Sequence, residues 1–137
     1  MGFKAGDSAI EEVEVTDQAV RQFAEITGDN NPVHLDDEYA RTTRFGRRIA
    51  HGMLTAGYIS RALAKHFGQG GIYLSQTLKF LQPVFIGDQL EIHLKVLNVR
   101  QEKGIGIVET VVMKKQTKEI CVKGEATIMQ SHAVKIK

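Results

Sequence analysis

The sequence predicts an α+β domain in which a long antiparallel sheet wraps one buried helix. Three observations predict it. Helical patterns come first along the chain and strand patterns last. The segment Gly52 to Phe67 is apolar around most of its girth, the mark of a buried helix. Later runs alternate apolar and polar residues with period two, which points to antiparallel strands packed on one side only.

Taken in order, Ile10 to Val15 reads as a short strand. Thr16-Asp17 then offers an N-cap and an acidic first turn. Val20, Phe23, Ala24 and Ile26 follow at near-helical spacing, and Gly28 is a suitable stop. Asp36 to Arg41 has room for a helical turn or two. In the main helix, Met53, Leu54, Ala56, Gly57, Ile59, Ala62 and Leu63 are apolar or small, and Ala56 and Gly57 are expected to let the sheet come close. Gly68, Gly70 and Gly71 end it. Ile72 to Val84 is strand-like and broken at Pro83. Leu90, Ile92, Leu94 and Val96 alternate cleanly. Ile105, Ile107, Val111 and Met113 are expected to form the apolar face of the next strand, with Glu109 out of pattern. Ile120, Val122, Gly124, Ala126 and Ile128 make the last run. A sheet this long leaves an edge that so short a chain cannot cover, so a homodimer joined at a sheet edge, or a higher homo-oligomer, is expected.

Residues 1–137 suit one domain, with no repeat, linker or low-complexity tract to divide them. The apolar fraction of 42% and charged fraction of 25% are those of a globular chain, which argues against global disorder. A net charge of +2 with no Trp gives neither the basic bias nor the stacking platform of a nucleic-acid binder. Cys121 stands alone, so neither an internal disulfide nor a paired-cysteine zinc site is expected. The first residues carry no apolar stretch of signal-peptide length, and no run is long enough to span a bilayer. A cytoplasmic protein without membrane partners is the resulting expectation.

The chemistry concentrates in Thr27-Gly28-Asp29-Asn30-Asn31-Pro32-Val33-His34-Leu35-Asp36. Asp29 and His34 are five residues apart across Pro32. On a continuous helix they would face different ways, whereas on a Pro-containing loop they can converge. A carboxylate and an imidazole at one point form a general acid/base pair. The alternative is that Asp29 caps a turn and His34 ties the loop down.

Gly28-Asp29-Asn30-Asn31-Pro32-Val33-His34 matches the G-D-x-N-P-x-H signature of the (R)-specific enoyl-CoA hydratases, the hydratase 2 or MaoC-like dehydratase family. Phe23 to Thr27 resembles that family's lead-in, and Ile49-Ala50-His51-Gly52-Met53-Leu54 resembles the start of its central helix. Tyr73-Leu74 through Phe80, Pro83-Val84-Phe85 and Gly87-Asp88 look like its first long strands and turn. The resemblance implies a hot-dog fold, usually dimeric. It implies that Asp29 and His34 share one catalytic water, whose oxygen adds to C3 of a trans-2-enoyl-CoA while a proton reaches C2 on the same face. The product would be an (R)-3-hydroxyacyl-CoA. By the same resemblance the Gly52 N–H, at a helix N-terminus, would stabilise charge on the thioester oxygen; Gly52 also suits close packing at that point. No metal or redox cofactor is implied, and coenzyme A enters only as part of the substrate.

Other residues have plainer readings. Asn31 belongs to the signature and is placed at the substrate site, although holding the loop by side-chain hydrogen bonds accounts for it well. Ser60 is expected to face the acyl tunnel, with Tyr58 and Leu63 beside it. His51 can touch substrate or serve structure. His66, His93 and His132 have no acidic partner at ligand-like spacing. A metal site from Asp29, His34, Asp36 and Asp37 matches no known ligand pattern. Arg41, Arg44, Arg47 and Arg48 form either a solvated basic loop or a seat for coenzyme A phosphates.

Two other functions fit the same architecture. Many hot-dog acyl-CoA thioesterases resemble one another in using an acidic residue on the central helix, and Gly52 to Phe67 holds neither Asp nor Glu. A non-catalytic acyl-CoA binding module would keep the tunnel without needing the Asp29–His34 pair.

Overall fold

Apolar alternation and turn chemistry place the elements much as the sequence suggests. The computed structural model describes residues 3–67 and 71–130, so Gly68, Gly70 and His132 lie outside the described residues. Strand β1 (Ser8–Glu14) leads into α1 (Asp17–Thr27), a one-turn α2 (Pro32–Leu35), α3 (Asp37–Arg41) and the central α4 (Gly52–His66). Strands β2 (Gly71–Gln76), β3 (Lys79–Phe80), β4 (Gln89–Arg100), β5 (Ile105–Lys114) and β6 (Ile120–Gln130) complete the fold. All pairings are antiparallel, in the order β1-β4-β5-β6-β2, with β3 also on β6. This is the α+β arrangement expected, with the sheet laid around α4. Among the described residues no helix is long and apolar enough to cross a membrane.

The boundaries of α1 follow from its ends. Thr16 is extended and its Oγ1 accepts from the Ala19 N–H at 3.0 Å. Gly28 closes the helix at φ 79°, a left-handed conformation that costs glycine little.

The core lies between α4 and the inner face of the sheet. Leu54, Ile59, Ala62 and Leu63 of α4 meet Leu90, Ile92, Leu94 and Val96 of β4, with Val108 and Val112 of β5 beyond. Burial of each of these Leu, Ile and Val side chains stabilises by roughly 1.5–3 kcal/mol before chain entropy is charged against it. The helix is buried on one face only: Met53 is exposed, and a Cβ on Gly57 would meet nothing within 4 Å. Gly57 therefore does not admit the sheet, contrary to expectation. One curved sheet covers one side of a helix, and an apolar count cannot show which side.

The face of β5 also differs from expectation. Val96 pairs with Val108, Leu94 with Thr110 and Ile92 with Val112, so Val108, Thr110 and Val112 point inward. Ile105, Ile107, Val111 and Met113 share the outer face with Glu109, which sits level with Lys95 and Glu125. Both faces of this central strand carry apolar residues, so alternation alone could not set its register. Glu109 was the discriminating signal.

His66 and His93, which spacing in sequence left unpartnered, each meet an acid. His66 Nε2 lies 3.2 Å from Glu11 and His93 Nε2 2.9 Å from Glu91. Glu11 faces α4 from β1 and also takes Arg61 and Lys65. The His66 hydrogen bond, aided by those cations, holds the Glu11 carboxyl below its usual range.

Gly124 shows how tightly β6 is crossed. Its pairing with Thr110 leaves the Thr77 carbonyl against the position of a Cβ. Because the obstacle is backbone, it cannot swing aside. Gly124→Ala is expected to destabilise the fold by about 1–3 kcal/mol, read as a lower urea midpoint at unchanged slope. An unchanged midpoint would show that the β2–β3 segment yields freely.

Candidate active site

The segment after α1 brings the two predicted catalytic side chains together. Gly28 turns the chain out of α1. Asn31 caps the next turn, its Oδ1 accepting from the Val33 N–H at 3.1 Å, and Pro32 takes the first helical position, where no N–H is needed. The expected loop is thus a loop only as far as Asn31. From Pro32 it is a helical turn that carries His34 inward, while Asp29 stays on the irregular part.

His34 is buried, and its Nδ1 lies 2.8 Å from the Ile49 carbonyl. A carbonyl only accepts, so Nδ1 carries the hydrogen and Nε2 presents a bare lone pair. Burial, the largest cause, pushes the His34 pKa down from 6.5, and His51 adds to it, while the Ile49 carbonyl and Asp29 oppose it. A lowered folded value means that the unfolded chain binds the proton more readily. The stability contributed is therefore fully present above the unfolded value of about 6.5 and is lost as pH falls through the folded pKa. We expect the melting temperature to drop on acidification across this window, and His34→Gln to flatten that part of the profile. An identical profile in the variant would contradict this.

Asp29, His34 and His51 each place one side-chain ligand atom within 4.8 Å of the others. A metal ion would need these lone pairs to converge. The His34 and His51 rings instead stack, with centroids 3.8 Å apart and planes at 30°, and each already commits one nitrogen to a main-chain carbonyl, His34 Nδ1 to Ile49 and His51 Nε2 to Asp29. That arrangement suits a water held between Asp29 and His34 better than chelation.

The pair opens into a pocket of about 460 Å³ walled by Arg44, Phe45, Gly52, Phe80, Leu81 and Val84, among others. Gly52 is the first residue of α4, so its N–H has no partner within the helix. A Cβ at this position would come within 2.7 Å of the Phe80 ring, so glycine is what lets that ring lie against the helix start.

Asn31 and Ser60 do not join this wall. Asn31 is exposed and holds the turn. Ser60 lines a separate apolar cavity of about 150 Å³ with Leu63, Phe67, Tyr73 and Ile128. It lies eight residues beyond Gly52, roughly 12 Å along the helix at 1.5 Å per residue. Tyr58 faces a groove against Ala19 and Phe23 of α1. Of the four arginines only Arg44 reaches the pocket. Arg41 pairs with Glu38, Arg47 lies over the Phe85 ring, and buried Arg48 is held by Asp17 and Asp37. Phe80 and Leu81 are wall residues that the sequence treated only as strand. The signal available in the sequence was an adjacent apolar pair just before the break at Pro83.

Comparison with known proteins identifies the family. Residues 5–119 match the model of the MaoC-like domain. The chain is 39% identical over 127 residues to the (R)-specific enoyl-CoA hydratase of Rhodospirillum rubrum, covering 92% of this chain and 87% of that one. It is 46% identical over 101 residues to the 3-hydroxybutyryl-CoA dehydratase of Methylorubrum extorquens, covering 73% of this chain but only 64% of that one. Among solved structures, the unliganded R-hydratase of Pseudomonas aeruginosa superposes with a TM-score of 0.88 at 43% identity, over 93% of this chain and 82% of that one. The matched domain, the shared hot-dog fold and the Asp–His pocket lead to one conclusion: the chain belongs to the MaoC-like dehydratase family of hydro-lyases.

Proposed function

We propose that this protein adds water reversibly to trans-2-enoyl-CoA, giving (R)-3-hydroxyacyl-CoA, with Asp29 and His34 as its catalytic pair. The observation that carries the reading is that a His34 ring nitrogen and an Asp29 carboxylate oxygen lie within 4.8 Å of each other at the pocket that begins α4, with His34 Nδ1 turned to the Ile49 carbonyl. Both groups accept hydrogen bonds. A water donating one hydrogen to each would present its oxygen lone pair to C3.

As the O–C3 bond forms, the electrons of the double bond move toward the thioester carbonyl. The Gly52 N–H and the positive end of α4 meet the charge that develops there. Asp29 takes the proton from the water while His34 holds the remaining hydrogen. The released proton then passes to C2 on the same face, so water is added whole and the pair is regenerated. Dehydration runs the same steps backward.

The (R) outcome and coenzyme A as carrier are supported by the names of the similar hydratases. A homodimer is supported by the apolar residues left open beside β2 and β3: Ile72, Tyr73, Leu74, Phe80 and Leu81.

The test is the enoyl-thioester absorbance of crotonyl-CoA and of the matched acyl carrier protein thioester, with free thiol monitored. Loss of absorbance with the coenzyme A substrate supports the proposal. Turnover of the carrier-protein thioester alone would replace the carrier. Free thiol would point to a thioesterase, and binding without turnover to an acyl-CoA binding module.

A further inference from the structure

His51 stands at the start of α4 with an extended backbone and no side-chain cap to make, yet it is among the most enclosed polar side chains, only 2% exposed. Its ring is held between Phe23, centroid 4.7 Å away, and His34 at 3.8 Å. Its Nε2 lies 3.1 Å from the Asp29 carbonyl oxygen. That oxygen can only accept, so Nε2 must donate. The Nδ1 atom is then a bare lone pair, buried and without a hydrogen-bond partner. An unpartnered buried nitrogen is costly, and a Phe or Leu would fill the same space without it. Packing alone therefore does not account for a histidine here.

What the imidazole supplies is two contacts at once. One grips the main chain of Asp29, 22 residues earlier in sequence, and the other fixes the plane of the His34 ring, 17 residues earlier. The Ile49 carbonyl holds the opposite tautomer of His34 in place. We infer that His51 is a positioning residue: it sets Asp29 and His34 at a fixed separation, and so fixes where a shared water sits. The charged group beside the two rings is Asp29, with a carboxylate oxygen within 4.8 Å of a nitrogen of each, and Arg44 lines the same pocket. This inference rests on the hydratase reading for its kinetic consequence, but not for its structural one.

The test uses the full chain, labelled with nitrogen-15. In the wild type, long-range proton–nitrogen spectra are expected to show His51 protonated at Nε2 and His34 at Nδ1. His51 protonated at Nδ1 would overturn the inference even if no variant folded. His51→Phe keeps a ring but loses the donor, and His51→Gln keeps a donor at similar reach. His51→Phe is expected to lower kcat roughly 10- to 100-fold with little change in KM, the scale of a misplaced catalytic group. It should also shift the Asn30 amide nitrogen, whose peptide unit contains the Asp29 carbonyl. His51→Gln should restore both toward wild type. A His51→Phe enzyme within about twofold of wild type, or a His51→Gln no better than it, would overturn the inference. The nitrogen spectra need no substrate. If they read as expected while the wild type adds no water to any enoyl thioester, the functional reading fails and the positioning contact stands.

Discussion

Asp29→Asn is expected to lower kcat by about 100- to 10,000-fold, the range of general acid–base catalysis, with KM nearly unchanged. The amide keeps the shape of the carboxylate but cannot take a proton from water. The fold should survive, because Asp29 is exposed and the contact its Oδ1 accepts, from the Asn31 N–H at 3.4 Å, can be made by an amide oxygen. Kinetics on an enoyl thioester, alongside a thermal melt, separate the two effects. A variant that melts normally and turns over within a few-fold of wild type would remove Asp29 from the mechanism.

His34→Ala is expected to cost activity on the same scale and some stability besides. Its imidazole donates to the Ile49 carbonyl from a buried position and stacks on His51, so truncation leaves an unpaired carbonyl and an unsupported ring. A buried acceptor left without its partner costs about 1–3 kcal/mol. The melting point should therefore fall while the chain remains folded. If the two side chains share one water, the double variant should be scarcely slower than either single one, since residues that act as a unit are not additive. Multiplicative losses would mean that Asp29 and His34 act on separate steps.

Much of this site was legible in the sequence because its constraints are local. Thr16 and Gly28 are residue types demanded by helix ends, and they delimit α1 as expected. The run from Gly28 to His34 is short and contiguous, so its resemblance to the family signature could be read directly, whereas spacing alone left a capping role open; the structure brings Asp29 and His34 to one pocket. Where constraints are non-local the reading faltered. Pro32 serves equally well in a turn or at a first helical position, and only the path of the chain to Ile49 decides which. The inward face of β5 depends on its partners β4 and β6, since Val108 and Val111 are equally apolar. Ser60 and Tyr58 fall on one helix, but the elements packed on each side send them to different cavities. His51 gave no local clue to its role, because both residues it holds are remote in sequence.

The most direct test of the central claim is hydration of trans-2-butenoyl-CoA in heavy water, with the product read by proton NMR. Delivery of water from one shared site predicts a single deuterium at C2, on the same face as the C3 hydroxyl, in an (R) product. Deuterium on the opposite face would contradict the arrangement of Asp29, His34 and one water, and an (S) product would contradict the proposed (R) outcome.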